Sequence, residues 1–283
     1  MAQKYYAMDT GFYSSMGLYS FEDRCEITKE VGFDATYLSV WDGRRWKEVE
    51  QLHGVRERFG LEVAAVYVVL DLAKGVHADC NTGILEMLKA MPEGVNVELA
   101  IMHAGAGIQP SDPAGDDAVV NWLEQALLIA EARNINILLY THYTHWCEKH
   151  DDALRICERI NHKNLGIVFC GFHWYAADGQ NLFKTLKRGL PFIKHVNLSG
   201  SRRSPLGWGR AATIETLDVG EMDNFTLIAT LRRLGYTGYL GYQGWDENGD
   251  AFAKLTRSLT AMRGMVERAE RHPHWARHIE MAQ

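Results

Sequence analysis

The sequence is poor in features that would tie it to a particular partner. Its five cysteines, Cys25, Cys80, Cys147, Cys157 and Cys170, are odd in number and contain no C-x-x-C pair. That argues against a disulfide framework and a thiolate zinc site, and for a reducing, cytoplasmic setting. No segment reaches the roughly 18 consecutive apolar residues of a membrane span, and residues 1–9 lack an apolar run of signal-peptide length. Neither a membrane span nor a secretory leader is expected. Lys/Arg runs with interleaved aromatics are absent too, and a formal charge of -6 gives no net attraction to phosphate backbones, which excludes nucleic acid as an expected partner. There is no G-x-G-x-x-G turn, and no linker, low-complexity run or charge shift that would mark a domain boundary.

What remains is a chain of 283 residues, 47% hydrophobic and 23% charged, within the range of an ordinary globular protein. The local patterns alternate. Strands are expected over 4–8, 35–40, 63–70, 97–102, 135–140, 165–170, 192–198 and 239–243, and helices over 21–30, 46–59, 83–90, 116–133, 151–160, 182–189 and 224–234. Ser20 is placed to cap the first helix, with Gly32 and Gly60 just past two helix ends. The run Val63 to Leu70 is apolar throughout, as a strand covered on both faces must be. Eight such units predict one α/β domain over 1–283, a (β/α)8 TIM barrel, with a C-terminal helical extension over roughly 264–283.

In such a barrel the chemistry collects at the C-terminal strand ends. The residues there are Asp9, Trp41 with Asp42, Asp71, His103, Tyr140 with His142, Cys170 with His173, Asn197 with Arg203, and Gln243 with Asp246 and Glu247. Aromatic faces with amides, histidines and an arginine suit a small polyhydroxylated ligand.

The segment Glu30-Val-Gly-Phe-Asp-Ala35 resembles the first helix and second strand of the xylose-isomerase-like barrels, a superfamily of sugar and sugar-phosphate isomerases and epimerases. Leu217 to Asp223, with Leu231 to Gly238, resembles the last helix and eighth strand of that family. The resemblance implies a divalent cation, Mn²⁺ or Mg²⁺, held at the ends of strands five to eight by glutamate, aspartate, histidine and glutamate. Here those positions hold Tyr140, Cys170, Asn197 and Gln243, none of them a carboxylate or an imidazole. Neutral groups do not repay the dehydration of a hard dication, so a degenerate metal site and no cofactor are expected. Two further acidic positions of the family are Tyr37 and Trp146 in this chain.

A relocated Zn²⁺ site built from His142, Cys170 and His173, with His145 in reserve, is the alternative; a His-rich loop that packs and hydrogen-bonds is the simpler reading. A Cys170 nucleophile is weighed against an inert buried thiol, and Asp246 or Glu247 as displaced carboxylates against a surface turn. His173, His142 and Arg203 are the catalytic candidates, two to move protons and one to hold an oxyanion. Tyr140, Asn197, Gln243, Trp41, Trp146 and His195 are the substrate-binding candidates. Two functions stay open: a sugar isomerase or epimerase-like protein acting on or binding a small carbohydrate, and a non-catalytic carbohydrate-binding or partner subunit. A homo-oligomer is compatible with either.

Overall fold

The computed structural model describes residues 3–41, 46–177, 179–245 and 249–276. Seven parallel strands follow in chain order: β1 (Tyr5–Ala7), β2 (Ala35–Val40), β3 (Glu62–Asp71), β4 (Asn96–His103), β5 (Ile137–Tyr140), β6 (Leu165–Cys170) and β7 (Ile193–Leu198). Next come β8 (Arg203–Trp208), which stays outside the barrel, and β9 (Tyr239–Tyr242), which pairs with both β7 and β1. Among the described residues, eight strands thus close a barrel in the order β1-β2-β3-β4-β5-β6-β7-β9.

The helices are α1 (Phe21–Val31), α2 (Val55–Phe59), α3 (Asp79–Ala90), α4 (Asp116–Ala132), α5 (His150–Ile160), α6 (Gly171–Ala177), α7 (Leu182–Gly189), α8 (Asn224–Arg233) and α9 (Ala251–Arg271). α1 starts where expected: the Ser20 hydroxyl accepts from Asp23 N–H while the Asp23 carboxylate accepts from Ser20 N–H. The helix expected over 46–59 is instead a 3₁₀ segment, Trp46–Leu52, followed by α2. Gly54 separates the two in the left-handed region (φ 76°), where α-helix cannot continue.

Strand periodicity divides the apolar residues into shells. One set (Val66, Val68, Leu99, Ile101, Leu139, Ile167 and neighbours) packs outward against α3, α4 and α5, and a second (Val196, Leu198, Leu240, Leu227, Leu259) packs against α8 and α9. The alternate positions (Tyr6, Tyr37, Tyr67, Tyr140, Val168, Cys170) fill the barrel itself. The interior is therefore unusually rich in tyrosine, a residue whose hydroxyl needs a partner when buried.

Two pieces of structure add to the expected plan. α6 begins directly at the end of β6, and the chain after β7 makes a small antiparallel excursion in which Arg203 and Trp208 both bridge to Ala212. Both lie at the C-terminal end of the barrel, and both carry residues of the mouth.

Candidate functional site

Glu98 sits midway along β4, fully buried, inside the barrel. Its carboxylate accepts from Tyr37 Oη at 2.6 Å, His195 Nδ1 at 2.9 Å, Asn197 Nδ2 at 3.0 Å and Tyr6 Oη at 3.1 Å. Tyr6 Oη also reaches Asn197 Oδ1, and His195 Nε2 faces Asn96 Nδ2 at 3.1 Å. Every polar atom that this cluster brings in therefore has a partner, which makes a buried polar group affordable. Gly241 allows the closure: a Cβ there would lie 2.3 Å from the Tyr6 ring and 2.7 Å from Asn197 Oδ1.

One step along the strands toward their C-terminal ends, a cavity of about 430 Å³ opens at the barrel mouth. Tyr140 and Gln243 lie on its floor with Met8 and Tyr67, and just beneath them Cys170 Sγ donates to Gln243 Oε1 (2.9 Å) and contacts Tyr140 Oη (3.3 Å). Burial pushes the Cys170 thiol up to about 12, so it is neither a ready thiolate nor a ready metal ligand.

One wall is aromatic: Trp41 and Trp245 meet edge to face with centroids 5.2 Å apart, and Tyr13 abuts Trp41 in the same way. The facing wall is a stack of histidines. His142 and His145 lie stacked with ring centres 3.7 Å apart, His142 and His173 are tilted by 32° at 4.0 Å, and Trp208 from β8 stands edge-on to His142 at 5.1 Å. Desolvation lowers all three imidazoles, His142 to about 4, His145 to about 2 and His173 well below its usual range, with His142 and His145 adding repulsion at His173. They are neutral at pH 7.

Backbone contacts fix the tautomers of two of them. His142 Nδ1 donates to Tyr143 O (2.8 Å), which leaves Nε2 as its acceptor; His173 Nδ1 accepts from Tyr143 N–H (3.1 Å), which puts its proton on Nε2. The two neighbouring rings thus offer one acceptor and one donor. At the rim Asp71, also in the lining, bonds His103 Nδ1 at 2.9 Å and lies 3.5 Å from Lys74 Nζ. Asn81 clamps both backbone atoms of Asp71 and so holds it at the end of β3.

The sequence-derived candidates fall into two groups. Tyr140, His142, His173, Gln243 and Trp41 line the mouth together. Arg203, Asn197, His195, Trp146 and Cys170 are outside that lining. Arg203 is exposed: its guanidinium lies 4.6 Å from the Tyr175 ring centre and donates to Ala176 O, because β8 carries it out past α6. Asn197 and His195 point into the barrel and are engaged by Glu98. Trp146 is buried with the outer core, its Nε1 donating to Asp112 O. Asp42, Asp246 and Glu247 lie outside the described residues, as does the end of the chain from Arg277.

Sequence reading passed over Glu98, Trp208 and Trp245. A lone carboxylate within the run Val97 to Met102, and a tryptophan two residues past Gln243, are the signals that point to two of them. The histidine stack presents ring faces to one another rather than converging nitrogens, and among the described residues no group of three or more His, Cys, Asp or Glu side chains could hold a metal ion.

A family model described as xylose isomerase-like TIM barrel matches residues 25–269. No curated protein matches at the sequence level. Among solved structures, an L-ribulose 3-epimerase superposes with a TM-score of 0.74 at 14% identity, covering 98% of this chain and 99% of the other. The IOLI protein with a bound zinc atom gives 0.74 at 15% identity, covering 94% and 99%. The 3-keto-D-glucoside 4-epimerase YcjR of E. coli gives 0.70 at 16% identity, covering 93% and 100%. At these identities the likeness concerns the fold.

Proposed function

Since the chain belongs to the xylose isomerase-like TIM barrel family, we propose that it is a sugar isomerase or epimerase-like protein that binds a small carbohydrate at the barrel mouth without metal-assisted enolisation. The side chains at the four metal positions do not fit a hard dication. Cys170 hydrogen-bonds both Tyr140 and Gln243, Asn197 is committed to Glu98 and Tyr6, and none of the four carries a negative charge. The single observation that carries the proposal is this closed, neutral floor beneath a pocket walled by tryptophan and histidine. Trp41, Trp245 and Trp208 can cover the apolar face of a sugar ring, while Gln243, His142 and His173 bond its hydroxyls.

Titration of metal-depleted protein with a panel of aldoses, ketoses and their phosphates, followed by tryptophan fluorescence, tests it. Saturable binding that Mn²⁺ or Mg²⁺ does not change is expected; binding that appears only on adding the metal overturns it. A second reading, in which the protein also turns its sugar over, rests on the opposite tautomers of His142 and His173. An acceptor beside a donor can take a proton from one carbon or hydroxyl and return it to a neighbour. On that reading the metal-free protein incorporates solvent deuterium into a bound ketose and His142→Ala, which removes the acceptor, abolishes incorporation. Without incorporation, the protein is the non-catalytic binder.

A further inference from the structure

Beside the histidine pocket lies a second cavity of about 530 Å³, and Trp208, Ile214 and Trp245 line both. Its far side is polar and cationic. Lys254, in the first turn of α9, and Arg257, three residues on, both face it. So do Thr213 and Thr216 of the segment after β8.

The charged groups around this cavity are in different states. Glu215 is fully engaged: Arg202 Nε and Nη2 reach its two oxygens at 2.7 and 3.0 Å, and the Thr213 hydroxyl donates at 2.6 Å. Arg257 Nε is held by Asp218 at 2.6 Å. Lys254 Nζ, by contrast, is buried and has no hydrogen-bond partner among the described residues. A desolvated ammonium without an acceptor is a standing cost to the fold, relieved when an anion enters.

We infer that Lys254 marks an anion subsite joined to the carbohydrate pocket across the Trp208–Trp245 wall, so that the ligand is a sugar bearing a phosphate or carboxylate group. The ring lies among Trp41, His142 and His173, and its oxyanion passes the shared wall to reach Lys254 Nζ, with Arg257 adding charge. An ammonium takes either anion as a point charge, so the geometry gives the chemistry of the group and leaves the source to experiment. This rests on the carbohydrate reading for its sugar and stands apart from it for its anion.

Calorimetric titration of the full chain with inorganic phosphate, and separately with acetate, tests the subsite without any sugar. Binding should weaken as ionic strength rises, fall about tenfold or more in Lys254→Met, and persist in Lys254→Arg. Tighter phosphate than acetate assigns a sugar phosphate, and the reverse order assigns a sugar acid. In an anion-poor buffer Lys254→Met should also melt higher than the wild type, with phosphate raising only the wild type, which shows that the variant folds. Equal binding of both anions to wild type and Lys254→Met, or no binding to either, overturns the inference. The two proposals fail separately: if anions bind through Lys254 and no sugar binds, the carbohydrate reading falls; if sugars bind but charged sugars bind Lys254→Met as tightly as wild type, the anion subsite falls.

Discussion

Two polar regions occupy successive layers of the same barrel, and they are built on opposite terms. In the lower one Glu98, His195, Asn197, Tyr6 and Tyr37 satisfy one another. In the upper one two groups are short of partners: among the described residues, His145 Nδ1 and, across the Trp wall, Lys254 Nζ are buried without an acceptor or donor. Both regions break the rule that barrel interiors are filled by branched apolar side chains. A polar group whose hydrogen bonds are all met within the protein specifies packing, whereas one left short beside a cavity has bonding capacity to offer a ligand. Asn197 and His195 belong to the enclosed layer through Glu98, whereas His142 and His173 bond the Tyr143 backbone through Nδ1 and line the cavity, although all four sit near strand ends in the sequence.

The largest effect that would break this contrast lies in the lower layer. Glu98→Ala strands two phenols, an imidazole and an amide, and should cost about 3–5 kcal/mol in urea unfolding, with Glu98→Gln retaining part of it. A loss below about 1 kcal/mol would mean that the network is not what holds the interior.

The pH response sharpens the contrast from above. His142 and His150 titrate near 4 in the folded protein, with His145 and His173 lower still, because burial disfavours the cation. These folded values lie below the ordinary 6.5, so the unfolded chain takes up protons first as pH falls. Stability should be flat above about 6.5 and decline from there towards 4, by up to about 1.4 kcal/mol per pH unit for each histidine involved. Urea midpoints at pH 7, 6 and 5 measure the slope, and His142→Asn should flatten it; a curve level down to pH 5 contradicts neutral burial.

In the upper layer, Trp245→Ala and Trp208→Ala should each weaken sugar binding by about tenfold, roughly 1.4 kcal/mol, while lowering stability far less than Glu98→Ala. The smallest effect expected is for Arg203→Ala. Stacked on Tyr175 outside the pocket lining, Arg203 should leave sugar affinity within about twofold of wild type, inside the range of a neutral surface change of roughly 0.5 kcal/mol. A large loss would return Arg203 to the binding site.

The barrel was legible because each strand ends in a recognisable switch from apolar run to polar loop, so Tyr140, His142, His173, Gln243 and Trp41 could be named as mouth residues. The Ser20 cap and the helix-ending Gly32 were equally visible, since both act through local backbone geometry. What stayed hidden depends on direction. Whether Asn197 looks up into the mouth or across to Glu98 is decided by a residue almost a hundred positions away, and nothing local to Arg203 says that β8 will turn it outside. α6 was missed because Gly171-Phe-His-Trp-Tyr has poor helix propensity and is held by packing. Trp208 rides on an antiparallel excursion whose Pro205 and Gly207 read as loop.

The most direct test is metal analysis of the purified protein coupled to sugar titration before and after chelation. The neutral side chains Tyr140, Cys170, Asn197 and Gln243 predict no stoichiometric Mn²⁺ or Mg²⁺ and the same sugar affinity with and without chelator. One equivalent of either cation, with sugar binding lost on its removal, would contradict it.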